Sequence, residues 1–190
     1  VNTGAFDDID AIADAAQDAG AWLHVDGAFG LWAAASPRLR PLLRGSERAD
    51  SWATDGHKWL NLPYDSGLAF CAHPESHRAA MGVQAEYLIQ DAGERRIRDQ
   101  LDWVPEFSRR ARGFPIYAAL RSLGRSGLVD LVERCCGAAS RFAEAIAELE
   151  GVELLNDVVL NQVLFRFETD ERTDEVLAEV TAQEEAGTIA

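Results

Sequence analysis

The sequence predicts an α/β fold followed by an α+β tail, and three observations carry that prediction. A helix signal near the N-terminus runs into a short apolar strand, two successive strands end in polar residues, and a clean two-residue alternation appears late in the chain, over residues 162–167. The first helix starts at Asp7 and Asp8, which supply capping and complement the helix dipole. Ile9, Ile12, Ala13 and Ala16 give its apolar stripe, and Gly20 ends it. Trp22-Leu23-His24-Val25 then reads as a short buried strand ending at Asp26.

Residues 27–50 are broken by Pro37 and Pro41, and Arg38, Arg40, Arg44 and Arg48 mark a solvated stretch. A second strand, Ser51-Trp52-Ala53-Thr54, runs into Asp55-Gly56-His57-Lys58, and a third, Leu68-Ala69-Phe70-Cys71-Ala72, follows the turn at 63–67. Strands that end in polar residues matter because ligands in open α/β sheets collect outside the carboxyl ends of the strands. Residues 85–108 are charged and weakly periodic, with Glu94, Arg95, Arg96, Arg98, Asp99 and Asp102 in quick succession, as in a mobile loop or linker. Helical periodicity returns over 116–123, stops at Gly124 and resumes over 128–149. An edge-type strand at 152–155, the alternating strand at 162–167 and a helix from Thr173 complete a second, smaller domain that starts at residue 125 and is incomplete at Ala190.

Composition narrows the function. A hydrophobic fraction of 47% in 190 residues suffices for one sizeable core or two small ones and excludes a disordered chain. A net charge of -14 speaks against nucleic acid or an anionic membrane as the main partner, which leaves small molecules and protein surfaces. Cys71, Cys135 and Cys136 form no CxxC pair and make a poor disulfide framework, which fits a reducing, cytoplasmic setting. Of the 18 basic residues, 17 are arginine and only Lys58 is lysine. Arginine replaces lysine at most surface positions but cannot serve where a reactive amine is required, so Lys58 is the first candidate for covalent chemistry.

Pyridoxal 5'-phosphate asks a protein for an amine to hold its aldehyde, an anion at its ring nitrogen and donors for its phosphate. Lys58 and Asp26, each at or just past a strand end, meet the first two demands. The segments from Trp22 to Gly30 and from Asp55 to Asn61 resemble the two signature segments of the group II pyridoxal-phosphate-dependent amino-acid decarboxylases, the fold-type I family of aromatic-amino-acid and glutamate decarboxylases. The family pattern is a His-Val-Asp-Ala-Ala strand end and, about thirty residues on, His-Lys-Trp; here the corresponding residues are His24-Val25-Asp26-Gly27-Ala28 and His57-Lys58-Trp59. Ser108-Arg109-Arg110-Ala111-Arg112 looks like the family's passage from large to small domain, so the likeness covers most of the chain.

The resemblance implies that residues 1–124 form the C-terminal part of a fold-type I large domain and 125–190 a truncated small domain. It also implies Lys58 as the residue that carries the cofactor as a Schiff base, Asp26 as partner of the ring nitrogen, His57 as a donor near the phosphate and Ala28 against one ring face. Asn2 and Thr3 fall where the family places polar residues near the cofactor, whereas Val1 stands where a threonine is common. The family's phosphate-cradling loop and ring-stacking histidine have no counterpart here, so the chain is expected to be an internal piece of a longer protein that binds the cofactor poorly by itself. The implied activity is decarboxylation of an L-amino acid by a homodimer that builds its site from two subunits.

Each residue also has a plainer reading. Asp26 serves equally to cap the turn after its strand, His57 as an ordinary polar neighbour and His24 as a core or interface histidine. His73 and His77 lie four apart, but Pro74 and the lack of a third ligand argue against a metal. Arg109, Arg110 and Arg112 suit a substrate carboxylate or a solvated cluster, and Cys135 and Cys136 suit helix packing. The family's decarboxylases use a loop tyrosine as the proton donor, and its loss redirects them to aldehyde-forming oxidative deamination. Residues 91–107 contain no tyrosine and Tyr87 lies just before them. That reaction, carbon–carbon cleavage as in sphingosine phosphate lyases, and a non-catalytic fragment with relic motifs are the alternatives.

Overall fold

A computed structural model describes residues 2–82, 99–185 and 187, and these fall into two compact units of mixed α and β structure. One comprises residues 8–28 and 44–122, and the other the residues up to 7, 29–43 and those from 123 on. Val1 and residues 83–98, with Tyr87, Glu94, Arg95, Arg96 and Arg98, lie outside the described residues.

The first unit starts with α1 (Ile9–Ala19). Asp8 caps it by accepting the Ala11 N–H at 3.1 Å, and Gly20 closes it in the left-handed conformation. Ile9 and Ala13 are buried, but Ile12, expected in the same stripe, is exposed. The reason is a narrow contact line. Gly45 comes so close to the helix that a Cβ there would lie 2.5 Å from Asp10 N, while Arg48 reaches over to Asp10 (2.9 Å) and Asp14 (2.6 Å). The arginines expected to be merely solvated therefore include two, Arg44 and Arg48, that clasp α1.

The sheet of this unit has the order β1 (His24–Asp26), β2 (Ser51–Asp55), β3 (Gly67–Cys71), with β1 parallel and β3 antiparallel to β2. Its register sets His24 opposite Ser51 and Asp26 opposite Ala53, while Asp55 faces Gly67. β1 is not the buried strand expected from its sequence: His24 and Asp26 are exposed, because among the described residues β1 is an edge strand. Asp50 fastens the near ends of all three strands. Its carboxylate accepts the Leu23 N–H at 2.7 Å and pairs with the His73 ring at 2.6 Å, and its carbonyl takes the Ala72 N–H. The Leu23 amide, with His73 second, holds the Asp50 carboxyl below the usual aspartate range.

α2 (Pro74–Met81) follows with proline in its first turn. His77 on this helix meets the Trp103 carbonyl at 3.1 Å and Arg78 pairs with Asp102 at 2.6 Å. The described end of the expected loop, a 3-10 turn at Gln100–Trp103, is thus fastened to α2.

α3 (Gly113–Ala147) comprises two helical stretches that meet at a kink at Gly124, whose φ of 61° and ψ of -176° are not helical. In the second unit Val132, Cys136, Ala139, Ala143 and Ile146 are buried at alternating spacings of four and three, one apolar stripe of α3. Burial pushes the Cys136 thiol upward, which suits the packing role expected of it. The 3-10 turns Gly30–Ala35 and Arg40–Leu43 bury Ala33 and Leu43, Leu39 is buried between them, and Ser36 donates to Glu133 at 2.6 Å. β4 (Val152–Leu154) and β5 (Phe165–Phe167) form an antiparallel hairpin, with β5 only half as long as the alternation predicts. The shortfall has a cause: Leu164 N–H is taken by the Asn156 side chain rather than by a ladder partner. α4 (Asp170–Glu185) is the last helix among the described residues.

Candidate active site

The site grows from the carboxyl ends of β1 and β2. Beyond Asp26, the Gly27 N–H donates to the Ala53 carbonyl at 2.8 Å, and Thr54 Oγ1 donates to the Gly27 carbonyl at 3.0 Å. Parallel strands present their carboxyl ends on one edge, so Asp26 and Lys58, three residues past the end of β2, belong to the same edge of the sheet. Asp26 is exposed, and its Oδ1 accepts the Ala28 N–H at 3.2 Å. The turn-capping reading of Asp26 is therefore realised in the geometry, alongside its place at the strand end. Ala28 is half-buried in that turn.

Lys58 sits in a turn anchored on both sides. Trp59 and Leu60 are buried immediately after it, each worth roughly 1.5–3 kcal/mol of apolar burial. Gly56 N–H donates to the Ser66 carbonyl at 2.8 Å and Leu62 N–H to the Gly56 carbonyl at 3.2 Å. Asn61 has φ of 51°, a left-handed conformation that asparagine adopts more readily than most residues. A Cβ on Gly56 would lie 2.8 Å from Ser66 Oγ, so the chain approaches itself closely here.

Asp55 is the centre of the cluster. Only 4% exposed, it accepts the Lys58 backbone N–H through Oδ1 at 3.1 Å and lies 2.8 Å from Lys58 Nζ through Oδ2. His57 Nε2 is 3.7 Å from the same Oδ2. Because Ser66 N–H donates to His57 Nδ1 at 3.1 Å, the neutral ring carries its proton on Nε2, toward Asp55. Tyr64 stacks on His57 with centroids 4.1 Å apart.

Arg112 and Arg110 both engage Asp65, at 2.7 and 3.1 Å, and Arg112 foremost holds the Asp65 carboxyl below the usual range. Arg110 also donates to the Tyr64 carbonyl at 2.6 Å, and Arg109 pairs with Glu106. Two arginines of the expected cluster thus brace the segment that carries Tyr64. His24 meets Ser51 Oγ at 2.7 Å, and no group of three or more potential metal ligands occurs among the described residues. Asn2 and Thr3 belong to the other unit, where the Thr3 carbonyl accepts from Asn156. A cavity of about 250 Å³ lined by Asp50, Trp52, Phe70 and Cys71, among others, lies toward the start of β2 and shares no residue with the Lys58 cluster.

The structure thus brings Lys58 and His57 together around Asp55 and puts Asp26 and Ala28 at the neighbouring strand end. Sequence reasoning missed Asp55, Tyr64 and Ser66. For Asp55 a signal was there: an aspartate three residues before a lysine, at a strand end, is the spacing of a side-chain-capped turn. The residues fit a pyridoxal phosphate in kind. A primary amine and a carboxylate share one sheet edge, and Ser66 Oγ, beside His57, is buried with no hydrogen-bond partner among the described residues.

Fold and site together define an α/β protein with an amine and a carboxylate at the carboxyl edge of a parallel strand pair. The chain belongs to the family described as the pyridoxal-dependent decarboxylase conserved domain, which matches residues 1–168. The cofactor that the sequence points to is the one the family is named for. A phenylacetaldehyde synthase of Petunia hybrida is 30% identical over 166 residues, 87% of this chain and 33% of its own length. An aromatic-L-amino-acid decarboxylase of Drosophila lebanonensis is 30% identical over 183 residues, 96% of this chain and 45% of its own. Among solved structures, Oryza sativa TDC with PLP and tryptamine superposes with a TM-score of 0.82 at 27% identity, covering 94% of this chain and 38% of that one. The chain thus spans less than half the length of these relatives. No helix among the described residues is long and apolar enough to cross a membrane.

Proposed function

We propose that this chain is the lysine-bearing part of a pyridoxal-phosphate-dependent carboxy-lyase that removes the α-carboxylate of an L-amino acid. The observation that carries the reading is the placement of Asp26 and Lys58 at the carboxyl ends of two adjacent parallel strands. In this reading Lys58 holds the cofactor covalently, Asp26 faces its ring nitrogen, His57 lies near its phosphate, where donating to it would require turning Nε2–H away from Asp55, and Ala28 leaves room for one ring face. The bound cofactor supplies the electron sink for the pair left when a bond to the substrate Cα breaks. Asp26 keeps a negative charge where the ring nitrogen must stay protonated, and the buried Trp59 and Leu60 fix the backbone from which Lys58 projects.

Aromatic amino acids are the substrate class this reading favours, since the Drosophila relative is an aromatic-L-amino-acid decarboxylase. Residues 1–124 form the end of the large domain and 125–190 part of the small one, within a cytoplasmic homodimer. A second reading, aldehyde formation with loss of ammonia, has its own support: the Petunia relative is a phenylacetaldehyde synthase, and residues 91–107 carry no tyrosine. The test is to supply the full-length protein with pyridoxal phosphate and L-phenylalanine, L-tyrosine or L-tryptophan and to measure carbon dioxide, amine, aldehyde and hydrogen peroxide. Carbon dioxide with a stoichiometric amine supports the lyase, aldehyde with peroxide supports the second reading, and no carbon dioxide from any amino acid contradicts both.

A further inference from the structure

We infer that Asp55 is a positioning residue that restrains the Lys58 amine before the cofactor arrives, and so sets how fast that amine reacts. This rests on the reading of Lys58 as the cofactor's attachment point, and deepens it. Two contacts from one carboxylate carry the inference. Oδ1 accepts the Lys58 backbone N–H at 3.1 Å and fixes the turn, while Oδ2 lies 2.8 Å from Lys58 Nζ and fixes the side chain.

The carboxylate is itself held. Asp55 ends β2 in register with Gly67, is 4% exposed, and lies 3.7 Å from His57 Nε2, on a ring oriented by the Ser66 amide. An acceptor this constrained cannot follow the lysine outward. An amine joins an aldehyde by giving its nitrogen lone pair to the carbonyl carbon, forming C=N and releasing one water, and an ammonium paired with a carboxylate has no lone pair to give. Lys58 must therefore leave Asp55 and release one proton to solvent before it reacts. Bringing in a cofactor that takes over the amine replaces the ion pair, so the amine is kept directed at one place until then.

The simpler account, in which Asp55 merely caps the turn, predicts something different. Asparagine caps a turn as well as aspartate does but carries no charge. In the cofactor-stripped full-length protein, D55N is expected to raise the rate of trinitrophenylation at Lys58, read by mass spectrometry of the Lys58 peptide, by about five-fold, the change that corresponds to about 1 kcal/mol. D55E, which keeps the charge, is expected to stay within about two-fold of wild type. Should D55N fail to fold, D55S carries the same expectation as D55N. A rate at Lys58 that is unchanged or slower in the uncharged variants overturns the inference. The reagent does not involve pyridoxal phosphate, so this ratio decides the role of Asp55 even if borohydride traps no cofactor on Lys58, an outcome that would count against the cofactor reading alone.

Discussion

Thr54 donates its hydroxyl to the Gly27 carbonyl at 3.0 Å, and this bond ties the turn after Asp26 to the strand that leads to Lys58. The two candidate cofactor residues lie 32 positions apart in sequence, and one side-chain bond at the strand ends holds their turns in step. Thr54→Val keeps the β-branched shape and removes the donor. It is expected to cost about 1 kcal/mol in urea denaturation. An unchanged midpoint would mean that the Gly27 amide bond to Ala53 alone holds the strand ends.

Gly45 tests the seating of α1. Its φ of 91° lies in the region that favours glycine, and a Cβ would lie 2.5 Å from Asp10 N and 2.6 Å from Asp10 Cα. Both obstacles are backbone, which does not swing aside. Gly45→Ala is expected to lose at least about 2 kcal/mol of stability, and a loss below about 0.5 kcal/mol would show that α1 shifts freely.

Asp10 gives a pH dependence. Its hydrogen bond from Arg48, with Arg44 adding to it, holds the carboxyl below the usual aspartate range. A group whose pKa is lower folded than unfolded stabilises the fold above its unfolded value and loses that contribution as pH falls through its folded one. The stability difference between wild type and Asp10→Asn is therefore expected to be constant at neutral pH and to shrink below about pH 3.9. Urea midpoints measured from pH 7 to pH 2.5 check this; a difference that grows on acidification would reverse the sign.

In the other unit, Ser36 is fully buried and donates to Glu133 at 2.6 Å. Ser36→Ala removes a hydrogen bond to a charged group and is expected to cost about 1.5–3 kcal/mol. A loss under about 0.5 kcal/mol would show that Glu133 finds water or another donor instead.

The sequence was most readable where a local signal had a single physical cause. Asp8 and Gly20 bound α1 because a cap and a left-handed stop need those residue types, and Gly124 interrupts α3 for the same reason. Lys58 stood out because no other side chain in the chain offers a primary amine. Reading failed where the deciding partner is distant. The exposure of Ile12 depends on Gly45, and the early end of β5 depends on the Asn156 side chain. Asp55 was read only as the end of a strand, because its hold on Nζ depends on how the turn folds back beneath Ser66.

Lys58 as the residue that carries the cofactor is tested most directly by trapping it. Full-length protein incubated with pyridoxal phosphate and reduced with borohydride should yield, on digestion, a Lys58 peptide heavier by one phosphopyridoxyl group, and Lys58→Ala should leave no such adduct at this site and no visible absorbance band that borohydride removes. An unmodified Lys58 peptide in wild-type protein that retains the band, or the same band in Lys58→Ala, would contradict the assignment.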